Sequence, residues 1–391
     1  MKGREKVKED MNKGKTKSKI ENVERSVVDR VKENLKARIL RGEFSTTKRF
    51  PSERKLGKEY SASRITVRHA ISELVAEGYL FRIPFKGTYI SKDISRQTIQ
   101  LIVNPPLNVS FFADILEGIE KEVSKDGNKL LLKCTDENAE IERRYLEKIR
   151  EEKLDGLIII SGVNSLSNVD LIKDVSHILP VVVVDIYLGE VEADYITSDD
   201  EKGGYLATKH LIELGNRKIL HLAGPLQHST ARGRLNGYKK ALEEFSIDFD
   251  DEEMVRYTGW SIESGYYEAK KFLMNTRVDG IFAANDEIAV GAFKAIRELG
   301  LSVPSDISII GYGNLTIGRY LEVPLTTVDQ KPEKVGAEAY RVLMERLKGE
   351  RNSHTLKKVV MDVELIIRES CGIQKQIDMK KGGNSGVGIK R

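Results

Sequence analysis

Between Ile99 and Leu347 the chain alternates short apolar runs with amphipathic stretches of helical period, and this alternation restricts the fold more than any other feature. Strands are predicted at Ile99–Val103, Lys129–Cys134, Asp155–Ser161, Val181–Asp185, Lys218–Gly224, Gly280–Ala284 and Ile307–Gly311. Helices are predicted at Phe111–Lys125, Glu140–Glu152, Lys202–Leu214, Ala231–Phe245, Ile262–Asn275, Ile288–Leu299 and Pro332–Leu347. Strand and helix in strict turn mean an α/β fold with parallel, doubly wound sheets. Leu154–Ile158 and Val278–Phe282 are two versions of one Asp-Gly strand start. They predict two similar lobes, with a ligand cleft at the carboxyl ends of the strands.

Residues 23–92 follow a different pattern. Val28, Val31, Leu35 and Ile39 repeat at helical spacing, and Gly42 follows as a stop. Ser52 is placed to cap a short second helix holding Arg54 and Leu56, and Ser63 to cap a third. The third helix has Val67, Ala70, Ile71 and Leu74 as its apolar stripe and ends at Gly78. Tyr79–Arg82 and Thr88–Ser91 read as strands around a turn containing Pro84 and Gly87. Three helices and a small hairpin give the order of a winged helix-turn-helix, an α+β unit.

A chain of 391 residues exceeds one ordinary domain, and an apolar content of 40% supports a globular core. The expected organisation is a basic tail at 1–22, the winged unit at 23–92, a linker at 93–98, a body at 99–371 and a second tail at 372–391. No run approaches the roughly 20 apolar residues of a membrane span. The lysine-rich start lacks the apolar segment of a secretory signal. Cys134 and Cys371 offer neither metal spacing nor a disulfide framework. A cytoplasmic location is the expectation. Residues 1–92 carry 24 Lys and Arg against 12 Asp and Glu, whereas residues 93–371 carry 35 against 47. A basic head on an acidic body points to a polyanion at one end only.

Arg64 and Arg68 stand four apart on the third helix, opposite the apolar stripe, with Thr66 near its start. Such a helix suits a DNA major groove: arginine forks onto guanine or clamps phosphate, and threonine donates to phosphate. Arg54 adds a positive fork, and Lys86 and Gly87 bring an ammonium and bare backbone to the hairpin tip. An arginine pair alone would read better as solvated surface. The caps, the apolar reverse face and the basic surroundings favour DNA. The ordered runs Phe50–Leu56, Ser63–Arg68, Glu77–Leu80 and Lys86–Ile90 resemble the GntR-type winged helix over about 70 residues. The resemblance implies DNA contacts from Arg54, Arg64, Thr66, Arg68 and Gly87, and Ser63 and Lys86 join them as candidate DNA-binding residues. One departure is Phe85, where the family usually has a second glycine, which implies a stiffer or differently aimed wing.

From about Ile99 to Ser370 the chain resembles the LacI/GalR regulatory domain, which shares its fold with periplasmic sugar-binding proteins. The marks are Phe111-Phe112, Asp155-Gly156, Val182–Asp185, Ser198–Asp200, Ala231–Arg234 with Gly237-Tyr238, Ala284–Asp286, Ile310–Tyr312 and Pro324–Thr327. A GntR head on this body is the architecture of bacterial arabinose repressors. A sugar calls for an aromatic face and paired polar groups. The resemblance implies that Trp260 stacks on the ligand, Arg234 forks onto two hydroxyls, and Asp185, Asn285 and Gln330 complete the ring while Phe111 closes the cleft. Asp185 and Asn285 read equally as turn or cap residues, and Trp260 also as core. After Gly311-Tyr312 the family commonly has an aspartate that binds a sugar hydroxyl; here Gly313-Asn314 follows. Either Asn314 substitutes for it or one contact is missing.

No constellation for catalysis stands out. There is no phosphate loop after Gly224 and no Gly-x-Ser-x-Gly elbow, and the six histidines are scattered. Asp199 and Asp200 read as hinge and capping residues. The expected function is therefore a sugar-responsive repressor, dimeric on a palindromic operator in double-stranded DNA, with L-arabinose as first candidate effector. It is expected to need no cofactor or metal and to engage no membrane. The alternatives are an activator, a sugar-modifying enzyme fused to a DNA-binding head, and a transporter's solute-binding protein, against which the basic head argues.

Overall fold

The computed structural model describes residues 27–373 apart from 40–42, 45–48, 92–95, 108, 190 and 351–354. The expected 1–22 tail, Gly42, residues 93–95 of the expected linker and all but two residues of the expected 372–391 tail lie outside the described residues. Packing divides the chain into two compact units. One ends at Gln97 and takes in Asp126–Lys129; the other holds the remainder from Thr98.

The first unit is built as its pattern predicts. Helix 27–39 buries Val31, Leu35 and Ile39. Helix Glu53–Glu59 starts at Ser52, whose Oγ accepts the Lys55 N–H, and buries Leu56. Helix Arg64–Ala76 starts at Ser63, whose Oγ accepts the Thr66 N–H. Such caps satisfy donors that the first turn otherwise leaves unpaired. The strands β1 (Leu80–Ile83) and β2 (Gly87–Ile90) form an antiparallel hairpin. Phe50 donates its N–H to the Thr88 carbonyl at 2.8 Å, which ties the segment before the second helix to the hairpin. Val67, Ala70, Ile71, Leu74, Leu80 and Ile90 join the helix 27–39 stripe in one core.

The second unit carries two six-stranded sheets. Its strands are β3 (Thr98–Val103), β4 (Lys129–Cys134), β5 (Gly156–Ile160), β6 (Val181–Val184), β7 (Asp194–Ser198), β8 (Ile219–Ala223), β9 (Val255–Tyr257), β10 (Gly280–Ala283), β11 (Ser308–Tyr312), β12 (Thr326–Asp329), β13 (Lys358–Met361) and β14 (Glu364–Ile366). The orders are β4-β3-β5-β6-β7-β13 and β9-β8-β10-β11-β12-β14. The expected strict alternation in parallel sheets is corrected: among the described residues β7 follows β6 and β14 follows β13 with no helix between, and β14 runs antiparallel to β12 at a sheet edge. The chain passes between lobes three times, after β7, β12 and β13. The two Asp-Gly strand starts lie before β5 and β10, which hold the same place in the two sheets. Asp155 Oδ2 accepts the Thr98 N–H at the start of β3. Asp279 likewise accepts the N–H groups of Arg217 and Lys218 just before β8. Each aspartate thus clamps the start of the neighbouring parallel strand, a constraint repeated in both lobes.

No helix among the described residues is long and apolar enough to cross a membrane. One buried ion pair locks the first lobe. Arg346, at the end of helix Pro332–Leu347, lies 2.8 Å from Asp194 at the start of β7. Asp194 also accepts the Lys357 N–H just before β13. Removing one partner of such a pair strands a charge. Arg346→Met should therefore destabilise by roughly 3–5 kcal/mol, read as a lowered Tm. The double substitution with Asp194→Asn should recover a large part of the loss.

Candidate functional site

On the first unit, Arg54 and Arg64 are exposed. Arg68 grips the Glu53 carboxylate through Nε and Nη2, at 3.1 and 2.9 Å. That grip lowers the Glu53 pKa, burial opposes it, and the nearby charges of Arg68, Arg64 and Arg82 lower it further. Arg82 on β1 therefore shares one positive neighbourhood with the arginines of helix Arg64–Ala76. Ser63 Oγ is a helix cap and lies 2.8 Å from Thr66 Oγ1. Thr66 is only 8% exposed. The expectation of an open Thr66 hydroxyl is corrected, because the residue packs inward at the cap and pairs with Ser63.

Lys86 is exposed, and Gly87 has φ +117°, a conformation that side chains rarely adopt. A Cβ on Gly87 would also collide with the Arg49 guanidinium. Arg49 is a cation of this face that sequence reasoning missed. Phe85 at the hairpin tip has φ +62° and stands fully exposed. A left-handed φ costs a non-glycine residue about 1–2 kcal/mol.

In the second unit a cleft of about 490 Å³ opens between the lobes, within the roughly 300–1,000 Å³ of small-molecule sites. It lies beyond the carboxyl ends of the central strands, as a doubly wound sheet favours. Its floor is an ion pair. Helices Asp200–Glu213 and Ser229–Glu244 cross where a Cβ on Gly204 or Gly237 would strike the opposing backbone. That close approach sets Arg234 against Asp200, Nε to Oδ1 at 2.8 Å. Arg234 Nη1 donates to the Ala284 carbonyl at 2.7 Å, and its Cζ lies 3.8 Å from the Tyr312 ring centroid. Tyr312 donates its hydroxyl to the same Asp200 oxygen. Burial works against charge on the guanidinium, but the carboxylates of Asp200 and Asp185 hold its pKa above the ordinary value. The expectation that Arg234 offers a free fork is corrected: Nε and Nη1 are engaged within the protein, and Nη2 is the edge left for a ligand.

Asp185, half-buried at the end of β6, comes from the other lobe and adopts φ +79°. Burial and then repulsion from Asp200 push its carboxyl up to about 7, against the pull of Arg234. Trp260 forms a wall; its ring packs where a Cβ on Gly224 would sit. Its indole N–H points at His228 Nε2, 3.4 Å away. Burial, then Arg234, lower the His228 pKa to about 4, so this imidazole is neutral near pH 7.

Phe111 lines the cleft but belongs to the first lobe's core at 8% exposure, so it is a fixed wall and not a closing lid. Gln330 is buried, lines the cleft and donates to Ser198 Oγ. Asn285 lines the cleft, yet its amide is engaged as a helix cap, accepting from Ile288 and donating to the Trp260 carbonyl. Asn314 is a correction. Gly313 and Leu315 line the cleft, and Asn314 instead accepts from Arg368 Nη2 at 2.6 Å. Gly313, at φ +121°, leaves the wall without a side chain there.

The cleft is rich in carboxylates. Glu137, Glu263 and Glu287 line it beside Asp185, whereas the one arginine of the lining is already paired with Asp200. Burial and then Glu263 raise the Glu287 pKa. Among the described residues no group of three metal-ligating side chains is placed to hold an ion.

Residues 27–90 match the family described as bacterial regulatory proteins, gntR family, and residues 208–371 match the periplasmic binding protein-like domain. The arabinose metabolism transcriptional repressor of Halalkalibacterium halodurans is 30% identical over 365 residues, covering 88% of this chain and 96% of that protein. This chain belongs to the LacI/GntR-type transcriptional repressors. The ribose operon repressor of Haemophilus influenzae is 33% identical over 305 residues, 78% of this chain and 89% of that protein. Among solved structures, the transcriptional regulator CelR in complex with cellobiose superposes with a TM-score of 0.64 at 26% identity, over 85% of this chain and 94% of that one.

Of the residues sequence reasoning missed in this repressor, Asp200 was visible as a capping candidate, but Asp199 makes the cap, accepting the Lys202 N–H. His228, Glu263 and Glu287 carried no signal beyond their positions near helix starts. The raised Asp185 has a consequence for stability. Its native pKa near 7 exceeds the unfolded value near 4, so the native state binds the extra proton between those values. Stability is therefore full at low pH and falls as pH rises toward 7. Asp185→Asn should leave Tm unchanged at pH 4 and raise it by about 2–4 °C or more at pH 8, read by thermal unfolding without ligand.

Proposed function

We propose that this chain is a sugar-responsive repressor, held as a homodimer on a palindromic operator in the cytoplasm and released by an uncharged sugar. The observation that carries the ligand class is the cleft, where one aromatic wall faces hydrogen-bonding groups whose net charge is negative. Trp260 offers an apolar face to a sugar ring. Arg234 Nη2 meets a hydroxyl oxygen from one lobe, and Asp185 accepts a hydroxyl proton from the other. Gln330 completes the polar rim. A phosphorylated sugar would bring its dianion beside Glu137, Glu263 and Glu287 with no unpaired arginine to receive it. L-arabinose is the first candidate, from the similarity to arabinose repressors across both domains. Repression over activation rests on the same relatives.

On the head, helix Arg64–Ala76 enters the major groove with Arg64 and Arg68. Arg54, Ser63, Lys86 and Gly87 approach the backbone, and Thr66 acts through the cap. One head covers a half-site, so a dimer matches a palindrome. Effector binding and operator binding then oppose each other by one common factor.

Trp260 is the only tryptophan, so its emission reports the cleft directly. Titration with L-arabinose, D-ribose and cellobiose should shift that emission for at least one of them, whereas arabinose 5-phosphate should not. No shift with any neutral sugar would overturn the ligand class. Arg64→Ala or Arg68→Ala should each weaken operator binding by about 5- to 150-fold at fixed salt, measured by mobility shift. The binding sugar should release the wild-type protein from the same duplex.

A further inference from the structure

The hairpin tip of the head carries a residue that the DNA reading above leaves without a role. Lys86 donates its N–H to the Ile83 carbonyl, closing a four-residue turn with Pro84 second and Phe85 third. Proline fixes a negative φ at the second place, and Phe85 has φ +62° at the third. This is the pattern of a type II turn, whose third place favours glycine. A bulky aromatic there is strained, and strain of this kind gathers at functional positions. Phe85 gains nothing from the fold in return, since its side chain is fully exposed.

The base beneath it is rigid. Phe81 and Tyr89 stack across the two strands at 5.8 Å. Phe50 adds its backbone bond to Thr88, and Gly87 packs against the Arg49 guanidinium. Exposed cations stand near the tip: Lys86 follows Phe85 in sequence and Arg49 packs against Gly87, while Arg82 on β1 donates to Ser72 on the helix behind. An apolar ring raised among cations fits a polyanion that has flat apolar slots, which is what stacked base steps between phosphates provide.

We propose that Phe85 is a wedge that enters a base step in the minor groove beside each half-site, partly unstacking it, while Lys86 and Arg49 hold the flanking phosphates. Apolar side chains on rigid elements unstack and kink duplex DNA in this way. The proposal rests on the head being DNA-binding, and the variants below separate failure of the two.

The test uses the full chain and a duplex selected from a random library by the wild-type protein, with 2-aminopurine placed in turn at steps flanking each half-site. Wild type should raise the emission at one symmetric pair of steps. Phe85→Gly should have an equal or higher Tm, because glycine relieves the turn. It should nonetheless bind about tenfold more weakly and lose the emission rise. Phe85→Leu should keep part of both. Arg64→Ala should bind more weakly but, at saturating protein, retain the emission rise. Wild-type affinity and unchanged emission in Phe85→Gly, with weakened Arg64→Ala, overturn the wedge alone. Failure of the wild-type protein to select any duplex overturns the wedge together with the DNA reading.

Discussion

The ion pair between Arg234 and Asp200 sits where two helices cross at glycines, and the cleft is organised around it. Burying two charges costs several kcal/mol per ion before their attraction is counted. The cost is offset here because most of the valences are filled. Arg234 reaches a backbone carbonyl and stacks on Tyr312, while Tyr312 reaches Asp200. Two apolar residues would hold the helices together as well. What they would not supply is one fixed N–H edge at the cleft floor, opposite an acid from the other lobe. Asp185 feels both Asp200 and Arg234, so the first lobe is electrically coupled to the second before any ligand binds. A hydroxyl pair that bonds Nη2 and Asp185 together would strengthen that coupling, and the cleft would close on it.

The rim decides what can use that floor. Glu263 and Glu287 lie close enough for one to raise the other's pKa, so the second lobe's rim already carries unfavourable negative charge. His228, held neutral by burial and by Arg234, brings no compensating cation. On the proposed reading a neutral polyol pairs with these carboxylates through its hydroxyl protons, and its apolar face covers Trp260. An anion would add repulsion to lost hydration. Discrimination of this kind comes from polar groups that the wrong ligand leaves unpaired, more than from any extra bond made by the right one.

The parts of the fold written as uniform apolar runs were legible in the sequence. Strands β5, β6 and β10 are buried at every position, and period and length alone mark them. Strands β7, β12 and β13 were not legible, because Asp194, Thr197, Thr326, Thr327 and Lys358 dilute their apolar character and their stability comes from neighbouring strands. The same division runs through the site. Trp260, Arg234, Asp185 and Gln330 come together in the cleft, as the resemblance to the LacI/GalR regulatory domain implies. Asn314 and Asn285 carried equal marks, yet their amides bond inside the protein. Which way an amide turns depends on partners such as Arg368, 54 residues away in sequence, and local pattern holds no record of that. Asp200 illustrates the converse. It looked like a cap, and its neighbour took the cap while Asp200 met a helix 34 positions on.

The head obeys a related economy of charge. Arg68 is held by both oxygens of Glu53, and Arg64 and Arg82 also lower that carboxylate's pKa. Glu53 therefore holds one of these arginines, Arg68, while Arg64 and Arg82 lie near enough for their charge to reach it; Arg82 itself donates to Ser72 Oγ. On the proposed reading a DNA phosphate must compete with Glu53 for Arg68. Arg68 is more than half exposed, so its pair with Glu53 is solvent-screened and weak. A phosphate backbone, with many charges and a counterion atmosphere to release, outweighs one half-screened carboxylate. An isolated acidic protein surface does not. On the proposed reading Glu53 holds Arg68 in place until a duplex phosphate replaces it.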